Sequence, residues 1–434
     1  MNVTQGFCHA KYFLQPGIFP QLDSKALSGY CFSHMKTIHF LTNPVQNYAW
    51  GSHAAIAELM GRSFPTREPE AEMWMGAHPK APSTVKTRQG DESLMDLIKQ
   101  HPHDIIGKAA AAFENRLPYL FKVLAIEEPL SIQVHPNREQ AKKGFARENH
   151  LSIPMDAAER NYRDDNHKPE CICALTHFWA LNGFRDRSTI IRRVTETCSN
   201  TLDKGIRELE EHADSQGFKR FLDILLNLEE NDVEKILDRA VPYAEARRSR
   251  DPAFDWVVRL HNTYPGDIGV LFPLILNLVC LNPGQAMYLP AGQMHAYLKG
   301  VGIELMANSD NVLRGGLTSK HVDVSELLKI LNFKEQPLEI IEPEKKRVSE
   351  KAYPTPAVEF ELSVIEAVEG EPYTSAKDRG VEILLLTSGE VEVCQGKNPD
   401  PLKLSRGMSV IVPAAVGSYS IRGEGTLYKA GVPL

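Results

Sequence analysis

The chain has 434 residues, of which 42% are hydrophobic and 24% are charged. This length and composition are typical of a globular protein with two or three domains, and they exclude a disordered or fibrous chain. The formal net charge of -7 argues against a general nucleic-acid partner.

The first 34 residues differ from the rest of the chain. They lack the charged start and the compact apolar block of a secretory signal. Met35 opens a stretch that looks like a second, natural beginning. We therefore interpret residues 1–34 as an N-terminal extension that is either not native or disordered, and we expect no chemistry from it.

The cysteines form neither an even disulfide framework nor a paired Cys-x-x-Cys zinc pattern. They stand at positions 8, 31, 171, 173, 198, 280 and 394. Free thiols in a reducing compartment are the simplest interpretation, so we expect a cytoplasmic protein. The apolar run at residues 270–281 falls short of the roughly 20 residues of a membrane-spanning helix, and we predict no membrane partner.

Residues 38–185 contain short apolar runs broken by glycine, proline and asparagine, a pattern typical of antiparallel β-structure. Within residues 117–125, Lys122 is the one charged side chain. An ammonium group in such a run is costly to bury without a charged partner. Lys122 is therefore either a functional residue or an edge-strand lysine that opposes aggregation.

Residues 129–136 predict a short strand with one polar and one apolar face. Side chains alternate across a strand, so Ser131, Gln133 and His135 share a face. By itself this pattern is also typical of a half-buried strand whose polar residues meet solvent. The close apolar face suggests instead the inside of a β-barrel that holds a site.

Residues 164–175 place two charges at the start of an apolar strand. Pro169 keeps Lys168 extended, and the two-residue period then puts Lys168 and Glu170 on the same face. A carboxylate beside an ammonium group at the entrance of a core is either a salt bridge at a strand end or a metal ligand.

Residues 186–265 change to a helical pattern. Apolar residues recur there at the spacing of one helical face, first around Phe218 and again around Ile236. Asn231 and Glu234 form a capping-box pattern for the second helix. We interpret this span as a helical insertion between β parts and expect no active-site residue in it.

Residues 282–295 combine a Pro-Gly turn, a short apolar strand, a Pro-Ala-Gly turn and a histidine, which is the second half of a cupin-like signature. They complete a set of motifs that resembles, in order, the class I mannose-6-phosphate isomerases of the cupin superfamily: Gln133-x-His135, residues 167–170, residues 290–295 and residues 308–314. The matching motifs extend from about residue 47 to residue 321.

The resemblance implies one zinc ion per chain. In this family the zinc is held at the positions of Gln133, His135, Glu170 and His295. An amide oxygen, two imidazoles and a carboxylate suit zinc with room for water or substrate, and zinc is favoured over iron or manganese.

The resemblance also implies the reaction, an interconversion of D-mannose 6-phosphate and D-fructose 6-phosphate that moves a proton between C2 and C1 through an enediol. Such chemistry needs a base at that proton and a positive charge near the two oxygens. Arg314 matches the active-site arginine of the family, while Lys168 and Glu304 are the candidates for proton transfer. Glu304 is also consistent with a partner of a metal ligand or of Arg314.

Three further residues are expected to bind the sugar phosphate: Ser131, Lys122 and Asp310. Asp310 could equally cap a turn.

The C-terminal part contains a faded copy of the third motif. Residues 407–415 repeat the glycine, the apolar strand and the Pro-Ala turn of residues 284–292, but Ser418 stands where His295 would be. We expect a degenerate second cupin-type barrel without metal ligands, in which a regulatory sugar site stays open as an alternative.

The predicted fold is therefore α+β, with two cupin-type β jelly-roll domains and an inserted helical domain. The expected limits are 35–185 with 266–330 for the catalytic domain, 186–265 for the insertion and 331–434 for the C-terminal domain. The expected state is a monomer or a weak homo-oligomer.

Two other functions are alternatives. An iron-dependent cupin oxygenase would need a redox metal and usually a histidine in place of Gln133. A non-catalytic sugar-phosphate sensor would have kept the binding pocket but not the catalytic residues. Lys168, Glu304 and Arg314 argue against the sensor, because charged residues in a cavity are costly to keep.

Overall fold

A computed structural model describes residues 34–87, 90–396 and 400–433. Residues 1–33, which make up nearly all of the predicted N-terminal extension, lie outside these ranges.

The described residues form strands that we number in chain order: β1 (His39–Thr42), β2 (Val45–Gln46), β3 (Glu72–Met75), β4 (Thr84–Thr87), β5 (Gly90–Ser93), β6 (Tyr119–Ile126), β7 (Ile132–Val134), β8 (Glu170–Ala174), β9 (Phe178–Phe184), β10 (Leu276–Leu281), β11 (Ala286–Leu289), β12 (His295–Ala307), β13 (Leu313–Gly316), β14 (Glu344–Arg347), β15 (Glu350–Tyr353), β16 (Glu361–Ala367), β17 (Tyr373–Thr374), β18 (Glu382–Gln395), β19 (Leu402–Ser405), β20 (Ser409–Val412) and β21 (Tyr419–Gly431).

The α-helices are numbered in the same way: α1 (Ala55–Leu59), α2 (Leu94–Gln100), α3 (Pro102–Ile105), α4 (Arg138–His150), α5 (Arg187–Cys198), α6 (Asp203–Glu211), α7 (Ser215–Leu226), α8 (Glu230–Glu245), α9 (Pro252–Thr263), α10 (Phe272–Ile275) and α11 (Val324–Ile330). In the part of the chain that is described, none of the helices has the length and apolarity needed to cross a membrane. Helices and antiparallel strands together confirm the predicted α+β class.

The first of two large sheets is organised around β12. Its main order is β10-β9-β12-β6-β3-β2, with β7 and β8 also paired to β12, β11 paired to β8, and β13 paired to β7. Strand β12 has 13 residues and pairs antiparallel with β6, β7, β8 and β9 at different points along its length. Side chains from its start and from its middle can therefore meet residues of several other strands.

The second sheet has the order β14-β15-β16-β21-β18-β20-β1-β4-β5, with β17 and β19 at its sides. Strand β21 also has 13 residues and follows the short strand β20, as β12 follows β11. The sequence repeat between residues 284–292 and 407–415 thus has a counterpart in the strands. Strands β1, β4 and β5 from the N-terminal part join this C-terminal sheet, so hydrogen bonds cross the limit drawn at residue 330. The domain limits stay a prediction.

Helices α5 to α9 occupy the span between β9 and β10 in which the sequence predicts helices. Phe221 and Leu222 of α7 are buried in an apolar cluster that also contains Ile132 and Val134 of β7. The core of the helical segment is therefore continuous with the back of the strand that carries Gln133.

The capping-box prediction was wrong. Helix α8 begins at Glu230 after the N-cap residue Glu229, which makes no capping hydrogen bond through its side chain, so Asn231 lies inside the first turn. Glu230 and Asp232 stand in that turn, where carboxylates are stabilised by the positive end of the helix dipole. The charges of the first turn thus replace the side-chain cap.

Replacement of Leu222 by alanine should lower the free energy of unfolding by about 3 kcal/mol, because Leu222 is fully buried and the change leaves a cavity. Urea unfolding measures this difference. Lys219→Ala on the exposed side of the same helix is the control and should leave stability within about 0.5 kcal/mol of the original. Equal stability of both variants would contradict the burial of Leu222.

Candidate metal centre and active site

Three strands bring the predicted metal ligands together. Gln133 is the middle residue of β7, His135 follows that strand directly, Glu170 begins β8 and His295 begins β12. Both β7 and β8 pair with β12, and His295 lies opposite Gln133 in the register. The sheet thus joins side chains that are far apart in the sequence.

His135, Glu170 and His295 form a compact group of potential metal-binding atoms. One atom from each residue lies within 4.8 Å of the other two. The carboxylate of Glu170 stands between the imidazoles, with Oε1 3.3 Å from His135 Nε2 and Oε2 3.5 Å from His295 Nε2. All three residues are buried. Among the described residues, no other group of three or more His, Cys, Asp or Glu has this geometry.

Backbone carbonyl groups orient the two imidazoles. His135 donates from Nδ1 to the carbonyl oxygen of Asn311 at 2.7 Å, and His295 donates from Nδ1 to that of Gln293 at 2.9 Å. A histidine that donates through Nδ1 keeps the lone pair of Nε2 for a metal. Nε2 of His135 is buried and has no hydrogen-bond partner. A bound metal ion would satisfy this otherwise orphaned atom.

The electrostatics of the group also suit a metal. Burial, aided by the charge of Lys168, lowers the pKa of His135 to about 4, so the imidazole is neutral at neutral pH, as metal binding requires. Burial alone would raise the pKa of Glu170. Lys168, whose Nζ lies 2.8 Å from Glu170 Oε1, and His135 outweigh that effect and hold this pKa well below its ordinary value. A carboxylate anion and neutral imidazole nitrogen fit zinc.

Gln133 lies beside this group with its amide partly satisfied. Its Nε2 donates to Ser131 Oγ at 3.3 Å. The amide oxygen is then available to a metal, and Ser131 is on the same polar face, as the alternation of side chains predicts.

A cavity of about 70 Å³ opens next to the group and has room for several water molecules. Seven of the ten predicted site residues line it: Lys122, Ser131, Gln133, Lys168, Glu170, His295 and Glu304. Two larger, open depressions of about 590 and 520 Å³ lie on C-terminal strands around Glu369 and Glu390. They contain none of the candidate ligands, so chemistry and not size identifies the site.

Lys122 is held by two carboxylates at the floor of the cavity. Its Nζ lies 3.2 Å from Glu72 Oε2 and 3.1 Å from Glu304 Oε2. Burial would lower the pKa of Lys122, but Glu72, Glu304 and Glu170 outweigh it and raise that pKa. Strand β6 pairs on both sides, with β3 and β12, so the edge-strand interpretation of Lys122 is wrong.

The sequence analysis missed Glu72. This residue begins the buried strand β3, accepts a hydrogen bond from Trp74 Nε1 at 2.6 Å and lines the cavity. The sequence did contain a signal for Glu72, because a carboxylate at the start of an apolar run is as unusual as Lys122 within its own apolar run. Only the pairing of β3 with β6 brings the two charges together.

Glu304 and Glu170 are two buried carboxylates with opposite pKa shifts. Burial raises the pKa of Glu304, Lys122 opposes this shift, and the nearby charge of Glu170 adds to it, with a net increase. The pKa of Glu170 lies below its ordinary value. Environments that separate the pKa values of two carboxylates in this way are typical of sites in which one carboxylate transfers a proton and the other stays ionised.

Arg314 lies on β13 opposite Gln133 in the register. Burial and the neighbouring charge of Arg163 lower its pKa, and burial together with Arg314 and Arg163 lowers the pKa of Lys320. Three cations therefore share one region beside the metal centre, where they favour an anionic ligand.

Asp310 is engaged elsewhere. Its Oδ1 lies 3.4 Å from His78 Nε2 and its Oδ2 lies 2.9 Å from Lys80 Nζ. Burial would raise the pKa of Asp310, but the contacts with His78 and Lys80 hold it well below its ordinary value. Asp310 is not among the residues that line the cavity, and its role in substrate binding stays a prediction.

Comparison with known proteins agrees with this geometry. Residues 38–187 match the family model described as phosphomannose isomerase type I, catalytic domain. The chain is 39% identical over 391 residues to the mannose-6-phosphate isomerase of Escherichia coli (strain K12), with 90% of this chain and 98% of the relative covered. The chain belongs to the mannose-6-phosphate isomerase family. It is also 34% identical over 418 residues to the mannose-6-phosphate isomerase of Rattus norvegicus, with 90% and 94% covered.

Solved structures of the family give the same result. A zinc-bound mannose 6-phosphate isomerase is 37% identical, has a TM-score of 0.83 and matches 92% of this chain and 100% of its own. A mutant phosphomannose isomerase from Salmonella typhimurium has a TM-score of 0.85 at 37% identity, with the same coverage. These findings confirm the mannose-6-phosphate isomerase family, its cupin-type fold, its isomerase class and zinc as the metal predicted from the sequence. A sugar phosphate substrate is consistent with them.

Proposed function

We propose that the chain is a zinc-dependent isomerase that interconverts D-mannose 6-phosphate and D-fructose 6-phosphate in the cavity beside His135, Glu170 and His295. The observation that carries this proposal is the buried, unpartnered Nε2 of His135, within 4.8 Å of a carboxylate oxygen and a second imidazole nitrogen. We assign these three residues and Gln133 as the ligands of one zinc ion. When bound, zinc supplies positive charge that stabilises the charge developing on the substrate oxygens.

Glu304 is our candidate for the group that moves the proton. In the forward direction a base takes the proton from C2, the electrons of the C2–H bond form the C1–C2 double bond of the enediol, and O1 gains a proton. Return of a proton to C1, with loss of the proton on O2, gives the ketose. Glu304 lines the cavity, and its raised pKa suits proton transfer. Lys122, 3.1 Å away, holds its carboxylate in place.

Lys168 and Arg314 are assigned to the substrate oxygens. Lys168 lines the cavity and is paired with Glu170, so it can hold or deliver a proton at O1 or O2. Arg314 offers a planar, permanently charged donor to the enediolate. The hydroxyl of Ser131 and the ammonium group of Lys122 help to hold the sugar. Asp310 stays a predicted substrate contact outside the cavity lining.

The remaining cations are assigned to the phosphate. In addition to burial, the charge of Arg163 lowers the pKa of Arg314, and the charges of both arginines lower the pKa of Lys320. Their combined charge supports binding of the dianionic 6-phosphate near β13, at the far end of the sugar from C1 and C2.

We further propose that the protein acts in the cytoplasm, as a monomer or weak homo-oligomer, without a nucleic-acid or membrane partner. The net charge of -7 disfavours nucleic-acid binding. The described cysteines are free thiols, the state that a reducing compartment maintains. Sedimentation of the purified protein at micromolar concentration tests the oligomeric state.

The function is tested by a coupled assay for fructose 6-phosphate formed from mannose 6-phosphate. Activity should be lost after chelation and restored by zinc, because the proposed ligands hold an ion on which charge stabilisation depends. Absence of fructose 6-phosphate with either metal, together with oxygen uptake by the ferrous-iron-loaded protein, would favour the oxygenase interpretation of the site. Inactivity of a folded, zinc-loaded sample would favour the sugar-phosphate sensor.

A further inference from the structure

Glu359 is a buried carboxylate in the C-terminal β unit, by which we mean residues 331–434. It lies between β15 and β16, and its side chain is 2% exposed. Its Oε1 accepts hydrogen bonds from Arg138 Nη2 at 2.8 Å and from His167 Nε2 at 2.7 Å. Burial would raise the pKa of Glu359, but His167 and Arg138 hold it below its ordinary value, so these bonds are charge-assisted.

Each of the two partners of Glu359 lies three residues in sequence from a proposed zinc ligand. Arg138 is the third residue after His135, and His167 is the third residue before Glu170. Each of these short segments contains one proline, which restricts its own backbone and that of the preceding residue. The short spacing and the prolines therefore couple the backbone positions of Arg138 and His167 to those of the neighbouring ligands.

Other contacts fix the ligand-bearing ends of both segments. The carbonyl oxygen of His135 accepts a hydrogen bond from the backbone of Gly292 at 2.8 Å, and that of Pro169 accepts one from Ala307 at 3.0 Å. The first of these bonds comes from the turn that precedes β12, and the second comes from the end of β12. The outer ends, by contrast, share one acceptor, Glu359, that belongs to the C-terminal β unit.

Glu359 is itself anchored in the core. Phe360, the next residue, is 1% exposed and belongs to an apolar cluster that also contains Phe121 and Cys171 of the first sheet. The following strand, β16, pairs on one side with β15 and on the other with β21. The carboxylate is thus a fixed point from which the two segments can be held.

We propose that Glu359 is a positioning residue of the metal centre. By binding Arg138 and His167 through one oxygen atom, it sets the separation of His135 and Glu170. The proposal rests on the assignment of His135 and Glu170 as zinc ligands. The described residues of the C-terminal β unit contain no candidate metal group. Through Glu359, this unit nevertheless takes part in zinc binding by His135 and Glu170.

The test is the zinc affinity of two variants of Glu359, measured by competition with a chelating dye. Glu359→Ala removes both hydrogen bonds and should weaken zinc binding about tenfold, the lower end of the effect known for residues that orient metal ligands. At saturating zinc, kcat should fall while KM for mannose 6-phosphate stays within about twofold, because the substrate contacts are intact.

Glu359→Gln should recover most of the zinc affinity. A glutamine oxygen in place of Oε1 can accept from both partners, and its amide nitrogen takes the place of Oε2, which has no hydrogen-bond partner. Recovery by glutamine separates positioning through hydrogen bonds from a general loss of stability. If Glu359→Ala does not fold, Arg138→Ala removes one of the two bonds at a half-exposed side chain and should weaken zinc binding about threefold.

Glu350→Ala is the matched control in the same sheet. Glu350 is 1% exposed and is bound by Tyr373 at 2.9 Å and by Lys429 at 2.5 Å, away from the metal centre. The Glu350→Ala change should lower the melting temperature of the protein without changing its zinc affinity. Unchanged zinc affinity in Glu359→Ala, or an equal loss in Glu350→Ala, would overturn the proposal.

His135→Ala distinguishes failure of the proposed metal centre from failure of the positioning role. If His135→Ala keeps zinc, the proposed metal centre is wrong. If His135→Ala loses zinc while Glu359→Ala does not, only the positioning role of Glu359 is wrong.

Discussion

Replacement of His295 by alanine is expected to abolish zinc binding and isomerase activity together. His295 begins β12, where its Nε2 lies 3.5 Å from Glu170 Oε2, and the backbone of Gln293 already orients its ring. Alanine removes one of the proposed nitrogen ligands and leaves Glu170 buried beside Lys168. We expect kcat to fall by about 10³-fold or more, which corresponds to the several kcal/mol that a metal contributes to charge stabilisation.

Metal content and turnover must be measured on the same His295→Ala preparation, by atomic absorption and by the coupled assay. His261→Ala is the control, because it removes a histidine from α9 in the helical segment, outside the candidate metal group. It should retain one zinc ion per chain. A His295→Ala protein that also retained one zinc ion would remove His295 from the ligand set.

Replacement of Arg314 by alanine is expected to lower turnover while zinc content stays unchanged. Arg314 lies opposite Gln133 in the register but contributes no ligand atom to the His135, Glu170 and His295 group. Loss of a preorganised donor at a developing negative charge typically lowers kcat by about 10² to 10³-fold. Arg314→Lys should recover only part of the rate, because an ammonium group keeps the charge but not the planar geometry.

The kinetic constants of Arg314→Ala locate its role. A fall in kcat at constant zinc content supports action on the enediolate, whereas a rise in KM alone would place Arg314 at the phosphate with Arg163 and Lys320. Arg185→Ala is the matched control, because burial also lowers the pKa of Arg185 and its side chain donates to the carbonyl oxygen of Pro273, outside the candidate site. Normal turnover by Arg314→Ala would remove Arg314 from the mechanism.

The cavity contains an almost balanced set of charges before a metal is added. Lys122 and Lys168 face the carboxylates Glu72, Glu170 and Glu304. A doubly charged metal makes the total positive, which favours the enediolate over the neutral sugar. The lysines thus allow three carboxylates to share a buried site, since each charge has a partner within about 3 Å.

The candidate metal-binding residues could be selected from the sequence because each stands at the edge of a short motif that the family resemblance makes specific. Pro129 and Pro136 delimit the strand around Gln133, Pro169 precedes Glu170, and a Pro-Ala-Gly turn precedes His295. Proline restricts the local backbone, and glycine allows turn conformations that other residues rarely adopt, so these motifs mark the ends of strands. The spacing of the three motifs does not show that they meet in the fold. Only the family resemblance implied that they do.

Other parts of the site could not be predicted, because they depend on pairs that no local pattern reveals. Glu72 acquires its role only through the pairing of β3 with β6, and Glu359 only through contacts more than 190 residues distant in sequence. Arg163 and Lys320 form a cationic region with Arg314 although nothing in their own sequence neighbourhoods sets them apart. The pairing of Asp310 with His78 and Lys80 likewise follows from no local pattern, and its predicted role at the substrate stays a prediction.

The sequence by itself determined the alternating faces of the strands around Gln133 and Glu170, because strand periodicity and turn residues are local properties. Its ordered motifs determined the family, and the resemblance to that family implied the candidate zinc ligands. The tertiary structure decided which charges share a partner, in which direction the pKa values of Glu170 and Glu304 shift, and that N-terminal strands complete the C-terminal sheet. These features arise from burial and from contacts across strands. Both are set by the packing of distant segments, which residue order alone does not specify.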